Sequence, residues 1–390
     1  MRTRTLVIAA TAGSCAALAG GSAPATPLVV ANQPGVVRQT ERAAKWAAWT
    51  RCVAPEGPSE VWARRSGQHK LTRILRTARP CDAHDLVGIF NNGLFLLAQR
   101  GNDLRRLLAV DLRDRSRSVV DQETPGAGGR ELLAADVNGP SLAWIRVVGP
   151  ADARMAEVVV RNLATGVDRI AHRRELASGA VRLVGVWVNA RGDVAIHEVL
   201  RGEVFLYGNG QERIRLLRAR DGGFRTLASV RGLVHVAAAD LGGTRFSYSL
   251  VRENDLRVWV YGWDLTQNRR RLLRVARAAP PTGAITPPAV AEPRLYADAV
   301  VWRERTRRGR RAFNDGVRRA GLIQGPRQRI FPEQDVRGQR IFVGPPALYK
   351  RIVMWPVTTF TGNARWRGGY EGLSTRRART KVMMAPLPRS

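Results

Sequence analysis

The sequence has few of the residues that most often carry catalysis or bind metals. Its 390 residues include only three cysteines and five histidines. It contains no Gly-x-Ser-x-Gly, no His-Glu-x-x-His, no acidic calcium loop and no glycine-rich phosphate loop. These absences exclude motif-bearing hydrolases, zinc peptidases, EF-hand proteins and P-loop nucleotide-binding proteins. They also give no reason to expect a metal or another cofactor.

Lysine is scarce as well. The chain has 64 basic residues against 32 acidic ones, a formal net charge of +32, and only four of the basic residues are lysines. Selection for a polyanionic partner would not remove lysine, because lysine binds phosphate well as a point charge. The ratio therefore indicates the codon bias of a GC-rich genome. The charge itself still predicts attraction to anionic surfaces, which salt will screen.

Long apolar segments are missing outside the N-terminus. Arg2 and Arg4 precede an uncharged stretch from Leu6 to Leu18, and Ala23-Pro24-Ala25 fits a small-x-small cleavage pattern. The pattern predicts a signal peptide at residues 1–25 and one mature domain at residues 26–390. The stretch is too short for a membrane span, which needs about 20 apolar residues. We expect a secreted or extracytoplasmic protein without a transmembrane segment; lipid attachment through Cys15 is a less favoured alternative.

Signal cleavage would leave Cys52 and Cys81 as the only cysteines. Two cysteines in an exported chain predict one disulfide between them. The chain-entropy relation gives such a bond, which closes a loop of about 30 residues, roughly 3 kcal/mol. A two-cysteine metal site is a poor alternative, because no histidine pair lies at ligand spacing nearby.

The dominant pattern is a hydrophobic unit that returns seven times. Equivalent positions in the seven units are Trp49, Leu97, Trp144, Ile196, Tyr248, Trp302 and Trp355. The intervals between these positions are 48, 47, 52, 52, 54 and 53 residues. A unit of this length with several short apolar runs is typical of a propeller blade. We predict an all-β, monomeric, seven-bladed β-propeller of four-stranded antiparallel blades, or six blades if the cysteine-containing first unit is an irregular extension.

The third unit shows the strand order most clearly. Apolar runs at 131–137, 141–148 and 157–163 and a weaker run at 167–171 are separated by turn sequences such as Asn138-Gly139-Pro140. This order predicts an antiparallel meander with a charged outer edge. A β-sandwich array is the alternative, but sandwiches do not usually repeat one four-strand unit at constant spacing.

The turn Asn162-Leu163-Ala164-Thr165-Gly166 follows a valine-rich run and a Leu-Ala-Trp strand. It resembles the turn between the third and fourth strands of TolB-like propellers, and 264–268 and 111–114 look like degenerate copies. The resemblance implies propeller architecture over nearly all of the mature chain. It carries over no functional residue. Because the blade pattern begins soon after residue 33, we expect no counterpart of the separate N-terminal α/β domain of TolB.

The seventh unit ends one strand short. Its third strand is predicted at 381–387 and the chain stops at Ser390, while Leu28-Val29-Val30-Ala31 precedes the first unit. We predict that this N-terminal run completes blade seven, because an unpaired outer edge would be prone to pairing with another chain.

Five titratable residues fall at the starts of predicted innermost strands: His84, Asp85, Glu131, His235 and Glu292. They could line the mouth of the central channel and form an acid/base cluster. Seven strand starts drawn from any sequence would also include a few titratable residues, so chance placement is the alternative. Convergence of the five on one pocket would favour an enzyme, and scatter around the ring would favour binding.

Three long segments of blades five to seven are predicted on one face, at 276–293, 303–311 and 361–380. The candidate ligand-binding residues are Arg308, Arg310, Arg311, Arg365, Trp366, Arg367 and Tyr370. Arginine forks bind phosphate or carboxylate, and aromatic faces stack on sugar rings. The alternative is that these segments are solvated loops in an arginine-rich protein.

The first functional hypothesis is an exported, non-catalytic binding or scaffold propeller of the cell envelope. Its partner would be an anionic polymer, a glycan or a protein, and export argues against nucleic acid. The second hypothesis is a carbohydrate-active lyase or hydrolase that uses the channel mouth.

Overall fold

The structure is a computed structural model of the chain. It describes residues 26–53, 58–78, 83–99, 104–126, 128–150, 152–176, 181–203, 206–252, 254–255, 257–277, 290–308, 312–325, 327–335, 340–360 and 378–387. These residues form strands, and no helix among them could cross a membrane.

The strands form seven antiparallel sheets, each a propeller blade. From the channel outward, blade one consists of β2 (Val36–Arg42), β3 (Trp46–Cys52), β4 (Ser59–Arg65) and β5 (Thr72–Thr77). Blade two consists of β6 (His84–Phe90), β7 (Gly93–Gln99), β8 (Arg105–Asp111) and β9 (Arg117–Gln122). Blade three consists of β10 (Gly128–Asn138), β11 (Ser141–Gly149), β12 (Met155–Asn162) and β13 (Asp168–Glu175).

The next three blades have the same order. Blade four consists of β14 (Arg182–Val188), β15 (Val194–Glu203), β16 (Leu206–Leu217) and β17 (Phe224–Gly232). Blade five consists of β18 (Val234–Gly242), β19 (Arg245–Arg252), β20 (Arg257–Asp264) and β21 (Arg269–Arg277). Blade six consists of β22 (Val290–Tyr296), β23 (Ala299–Arg308), β24 (Ala312–Gly321) and β25 (Arg327–Asp335).

Blade seven is built from both ends of the chain. β26 (Arg340–Val343) and β27 (Ala347–Tyr349) share the innermost position, followed by β28 (Ile352–Phe360), β29 (Ala378–Pro386) and β1 (Leu28–Pro34). β1 runs antiparallel to β29, from the pair Leu28↔Met384 to Pro34↔Arg379. The predicted closure of blade seven by the N-terminal run is confirmed. The seven-bladed prediction is confirmed too, and the six-bladed alternative is wrong because the first unit is a regular blade.

The hydrophobic core lies between blades and not within them. Six apolar clusters each combine buried side chains of two consecutive blades, and two more join β2 and β3 of blade one to blade seven, one of them through β1. Trp49, Trp144, Trp302 and Trp355 are at most 1% exposed and occupy equivalent places on second strands. The recurring hydrophobic unit is therefore the contact surface of one blade with the next.

The innermost strands have a β-bulge in common. Register shifts occur in β2, β6, β10, β14, β18 and β22. A bulge leaves a backbone group without its ladder partner. At four of these bulges the backbone amide donates a hydrogen bond to a side-chain oxygen from the preceding part of the ring. The pairs are Val37 with Thr380, Leu86 with Gln39, Leu132 with Glu123 and Val236 with Glu212.

Gly88, which follows the bulge of β6, is required by a close approach. A Cβ at this position would lie 2.7 Å from the Cβ of Val137 on β10 of the next blade. Any larger residue would therefore push blades two and three apart.

Five buried carboxylates each pair with two or more arginines, and we call these arrangements carboxylate hubs. The hubs are Glu60, Asp121, Glu157, Glu198 and Glu304. At Glu198 the partners are Arg213 and Arg215 on β16, and Arg174 of blade three lies 3.6 Å away. Burial alone would raise the pKa of Glu198, but hydrogen bonds from Arg215 and Arg213 hold it below its ordinary value.

We predict that Glu198→Ala destabilises the protein far more than Asp168→Ala. The Glu198 side chain is fully buried, and its removal leaves the arginines without their shared counterion, a loss of about 3–5 kcal/mol. Asp168 pairs with Arg161 but is 40% exposed, so its loss should cost less than about 1 kcal/mol. Urea unfolding at neutral pH measures both. Similar losses in the two variants would contradict the importance of the buried hub.

Candidate functional site

The two predicted histidines are enclosed by protein. His84 is the first residue of β6, and its Nδ1 lies 3.1 Å from the Ser59 hydroxyl. Burial, with a smaller contribution from the charge of Arg117, lowers the pKa of His84 to about 4, so the ring is neutral at physiological pH. The Nδ1 of His235 lies 2.6 Å from Glu212. Both rings are at most 5% exposed and pack between blades.

The other three predicted residues meet different partners. Gln39 donates a long hydrogen bond of 3.5 Å to Asp85. Arg154 pairs with Glu131 on the surface at 2.7 Å. The carboxylate of Glu292 lies 3.7 Å from Arg294. The five residues therefore have different partners in different blades and do not share one pocket. This scatter favours binding over catalysis at the channel mouth where their strands begin.

Glu212 joins two histidines in the boundary between blades four and five. Its carboxylate is 2.9 Å from His197 Nε2 and 2.6 Å from His235 Nδ1, and it also accepts the amide of Val236. Burial alone would raise the pKa of Glu212, but these hydrogen bonds hold it below the ordinary value. All three side chains are nearly inaccessible, so the group connects blades and is not open to a ligand.

The predicted ligand-binding residues are only partly covered by the described chain. Arg308 is the last residue of β23, and Arg310, Arg311, Arg365, Trp366, Arg367 and Tyr370 lie outside the described residues. These assignments stay predictions. One boundary is corrected: the segment predicted as a loop from Arg303 continues as strand β23. Arg303 is 1% exposed, with its guanidinium 4.2 Å from the ring of Phe342 in blade seven.

The predicted disulfide is also only partly covered. Cys52 ends β3 and is buried, whereas Cys81 lies outside the described residues. The pairing stays a prediction.

A cluster of charged residues that the sequence did not predict lies near the C-terminal ends of the innermost strands, away from the strand starts described above. In each blade, residues of the first and second strands pair across the turn that joins the two strands. The third pair from this turn includes a charged residue in four blades: Glu41 in blade one, Asp136 in blade three, Asp240 in blade five and Arg294 in blade six. Equivalent places in different blades face one another across the ring. We call this group the channel cluster.

Each member of the channel cluster has a defined partner. Arg294 Nη2 lies 3.0 Å from Glu41, which links blade six to blade one across blade seven. Asp136 accepts the amide of Val188 at 2.8 Å, and Asp240 accepts the amide of Leu295 at 2.6 Å. Both amides belong to the innermost strand of the following blade.

Enclosure changes the ionisation of the cluster. Burial raises the pKa of Glu41 to about 7 and that of Asp136 to about 7, and the neighbouring carboxylate of Asp240 adds to both effects. Burial raises the pKa of Asp240 as well. Burial alone would lower the pKa of Arg294, but the surrounding carboxylates raise it above its ordinary value. Glu41 and Asp136 therefore change their charge near neutral pH.

The channel cluster lines a cavity of about 560 Å³ with walls from six of the seven blades. Its rim includes Phe90, Tyr296 and Tyr349, and the rings of the two tyrosines are 6.1 Å apart. The cavity can admit a small polar molecule. Among the described residues, no group of three or more His, Cys, Asp or Glu is arranged to hold a metal ion.

One sequence signal could have revealed the cluster. Asp136-Val137-Asn138-Gly139 and Asp240-Leu241-Gly242-Gly243 have the same form, with an aspartate just before the inner turn. Glu41 and Arg294 have no such motif around them. Only the strand register shows that they are equivalent.

Four arginines on the outer strands of blades five and six form a second feature, which we call the blade 5–6 arginine patch. They are Arg269 and Arg271 on β21 and Arg327 and Arg329 on β25. Within the described part of the chain, none of them has a carboxylate within ion-pair distance. The patch is therefore positive and without a counterion from the described blades.

Comparisons with known proteins show the fold alone. No protein-family model and no curated protein matches this sequence. The β-propeller domain of the Trilobed protease from Pyrococcus furiosus is similar, with a TM-score of 0.52 and 9% identity over 90% of this chain and 93% of that one. An oligogalacturonate lyase in complex with manganese has a TM-score of 0.48 and 12% identity, over 92% of this chain and 98% of that one. TolB from Acinetobacter baumannii has a TM-score of 0.41 and 12% identity, over 72% of this chain and 61% of that one. The predicted propeller architecture is confirmed, and the two lower scores carry no further argument.

We predict that the channel cluster makes the protein less stable as the pH rises through 7. A carboxylate whose pKa is about 7 when folded, against 3.8 for an ordinary aspartate, binds its proton more tightly in the folded state. Its contribution is fully present below pH 4 and is lost as the pH passes 7. Asp136→Asn keeps an acceptor for Val188 but does not titrate.

Between pH 5 and 8 the parent should lose roughly 1–3 kcal/mol more unfolding free energy than Asp136→Asn. Asp168→Asn, at an exposed ion pair, serves as the control and should follow the parent. Parallel pH profiles for the parent and Asp136→Asn would show that Asp136 is not perturbed.

Proposed function

We propose that this chain is an exported, non-catalytic binding propeller of the cell envelope whose ligand is an anionic polymer, with acidic glycans included. The distribution of charge carries the proposal. The eight acidic side chains of the buried hubs and the channel cluster have arginines or backbone amides of the fold as partners, so they are not free to neutralise the surface. The remaining surplus belongs to the surface, in a chain with a net charge of +32.

A surface of this kind favours polyanions. Guanidinium groups bind carboxylate or phosphate through two parallel hydrogen bonds, and a row of them matches a chain of repeated negative charges. The blade 5–6 arginine patch is a described basic part of the surface on two of the same blades, at the other end of their strands from the predicted ligand face, since Arg327 pairs with Ala320 and Arg308 with Ala312. Arg308, Arg310, Arg311, Arg365 and Arg367 would form a second basic region at the predicted ligand face, with Trp366 and Tyr370 stacking on sugar rings.

Binding is favoured over catalysis by what the candidate acids and bases contact. His84, His235 and Glu131 each have a separate partner in the scaffold. A general acid or base must instead reach a substrate within one pocket.

Export follows from the signal peptide predicted at residues 1–25, and an oxidising compartment would favour the Cys52–Cys81 bond. Protein recovered from the extracytoplasmic fraction should begin near Thr26. Its non-reducing peptide map should contain the linked pair. A retained N-terminus or two free thiols would contradict this part of the proposal.

The binding test is an array of glycans and anionic polymers probed with the mature protein. We expect a polyanion to bind at about 50 mM salt and to weaken steeply as salt rises. Replacement of Arg308, Arg310, Arg311, Arg365 and Arg367 with Ser should weaken it at least about tenfold. Trp366→Ala should weaken the residual binding that persists at high salt, because stacking on a sugar ring is not screened by ions.

The matched control removes five exposed arginines from blades one, two and four: Arg65, Arg115, Arg117, Arg220 and Arg231, each to Ser. Its net charge equals that of the loop variant. If the two variants bind equally, the predicted face has no special role. If the parent binds no polyanion, the proposed function is wrong.

A further inference from the structure

We propose that the cleft between the outer strands of blades five and six binds a tetrahedral oxyanion, a phosphate or sulfate group, between Arg271 and Arg327. This inference rests on the proposed function, because it names the anionic group that the polymer would carry. It concerns described residues only and does not depend on the predicted loops.

Each of the two arginines reaches from its own blade to the backbone of the other blade. Arg271 of β21 donates to backbone carbonyls of blade six, from Nη1 to Gly321 at 3.4 Å and from Nη2 to Gly325 at 3.1 Å. Arg327 of β25 donates from Nη2 to the carbonyl of Leu272 in blade five, at 2.9 Å. Each guanidinium is thus held over the boundary by neutral acceptors.

The contact made by Arg271, from an outer strand to the next blade, recurs in other blades and has a structural explanation. Arg169 of blade three donates to the carbonyl of Gly192 in blade four at 2.7 Å, and Arg225 of blade four donates to that of Leu265 in blade five at 3.1 Å. A single outer arginine therefore fastens one blade to the next. Arg327 is the addition at the blade 5–6 boundary, since it reaches back from the following blade and brings a second positive charge.

The second charge is unfavourable without an anion. The pKa of Arg271 is lowered by burial and by the nearby charge of Arg327. Among the described residues no carboxylate lies within ion-pair distance of either arginine. The same boundary contains a carboxylate deeper inside, where Glu304 pairs with Arg274 and Arg318, each at 2.7 Å. The inner pair of arginines therefore has a counterion from the protein, and the outer pair has none among the described residues.

The geometry of the donors favours a tetrahedral oxyanion. A guanidinium has five N–H donors, and the carbonyl bonds described above use two from Arg271 and one from Arg327. One carboxylate can serve two arginines, as Glu304 does deeper in the same boundary, but it has only two oxygens. A phosphate or sulfate group offers three acceptor oxygens to the two guanidinium groups, so it can accept the remaining donors of both at once. Arg269 and Arg329, both exposed, lie on the same strands and would meet the next charged groups of a polymer.

The test uses the mature protein and two probes, sodium tripolyphosphate and polygalacturonate, in isothermal titration calorimetry at about 50 mM salt. Arg327→Ser removes the second charge and keeps the Arg271 contacts. It should weaken tripolyphosphate binding roughly 10- to 100-fold. The control Arg220→Ser, an exposed arginine in blade four with the same change in net charge, should change it less than about twofold.

Polygalacturonate, which carries only carboxylates, should be affected about equally by the two variants, since both lose one surface charge. Circular dichroism melting verifies that Arg327→Ser is folded. If that variant unfolds, Arg327→Lys, which keeps the charge without the fork, should still weaken tripolyphosphate several-fold.

Unchanged tripolyphosphate affinity in a folded Arg327 variant, or an equal loss in Arg220→Ser, would overturn the inference. The proposed function can fail separately. If the parent binds tripolyphosphate through Arg327 but binds no polymer on the array, the oxyanion site is supported and the proposed polymer-binding function is wrong. If the parent binds an array polymer but not tripolyphosphate, the cleft is wrong and the role stands.

Discussion

The structure depends on how the innermost strands satisfy their backbone amides. These strands line the channel and have a strand neighbour on one side only, and their bulges free further amide groups. At six blade boundaries the free amide is paired with a side-chain oxygen from the preceding side of the ring, supplied by Thr380, Gln39, Glu123, Asp136, Glu212 and Asp240. At these six boundaries one blade therefore fixes the innermost strand of the next. The channel cluster belongs to this system, since two of its carboxylates are such acceptors.

Ring closure follows from the same arrangement. Thr380 on β29 accepts the amide of Val37 in blade one, and β1 occupies the outer edge of β29. Blade seven is thus joined to blade one by hydrogen bonds as well as by the shared apolar cluster around Trp49. The charges are arranged on this frame. The carboxylates of the hubs and the channel cluster lie inside this frame, and the blade 5–6 arginine patch lies outside it, where the proposed ligand would bind.

The sequence predicted the repeated features well. The second-strand marks such as Trp144, the inner turn after Asn138 and the strand that closes blade seven are local patterns, so spacing and turn chemistry reveal them. The channel cluster was missed because Glu41 and Arg294 are far apart in sequence and meet only when the ring closes. Arg303 was expected in a loop because charge indicates exposure. The strand instead continues, and blade seven covers the side chain with Phe342.

The most direct measurement is amide hydrogen exchange at Leu86 in Gln39→Ala. The Gln39 Oε1 accepts this amide at 2.8 Å, and the substitution leaves the blade cores intact. The account predicts that exchange at Leu86 becomes about tenfold faster or more, because the lost hydrogen bond exposes a local opening. Exchange at Val236, which depends on Glu212, should not change. Unchanged protection at Leu86 would contradict the claim that a side chain of one blade fixes the innermost strand of the next.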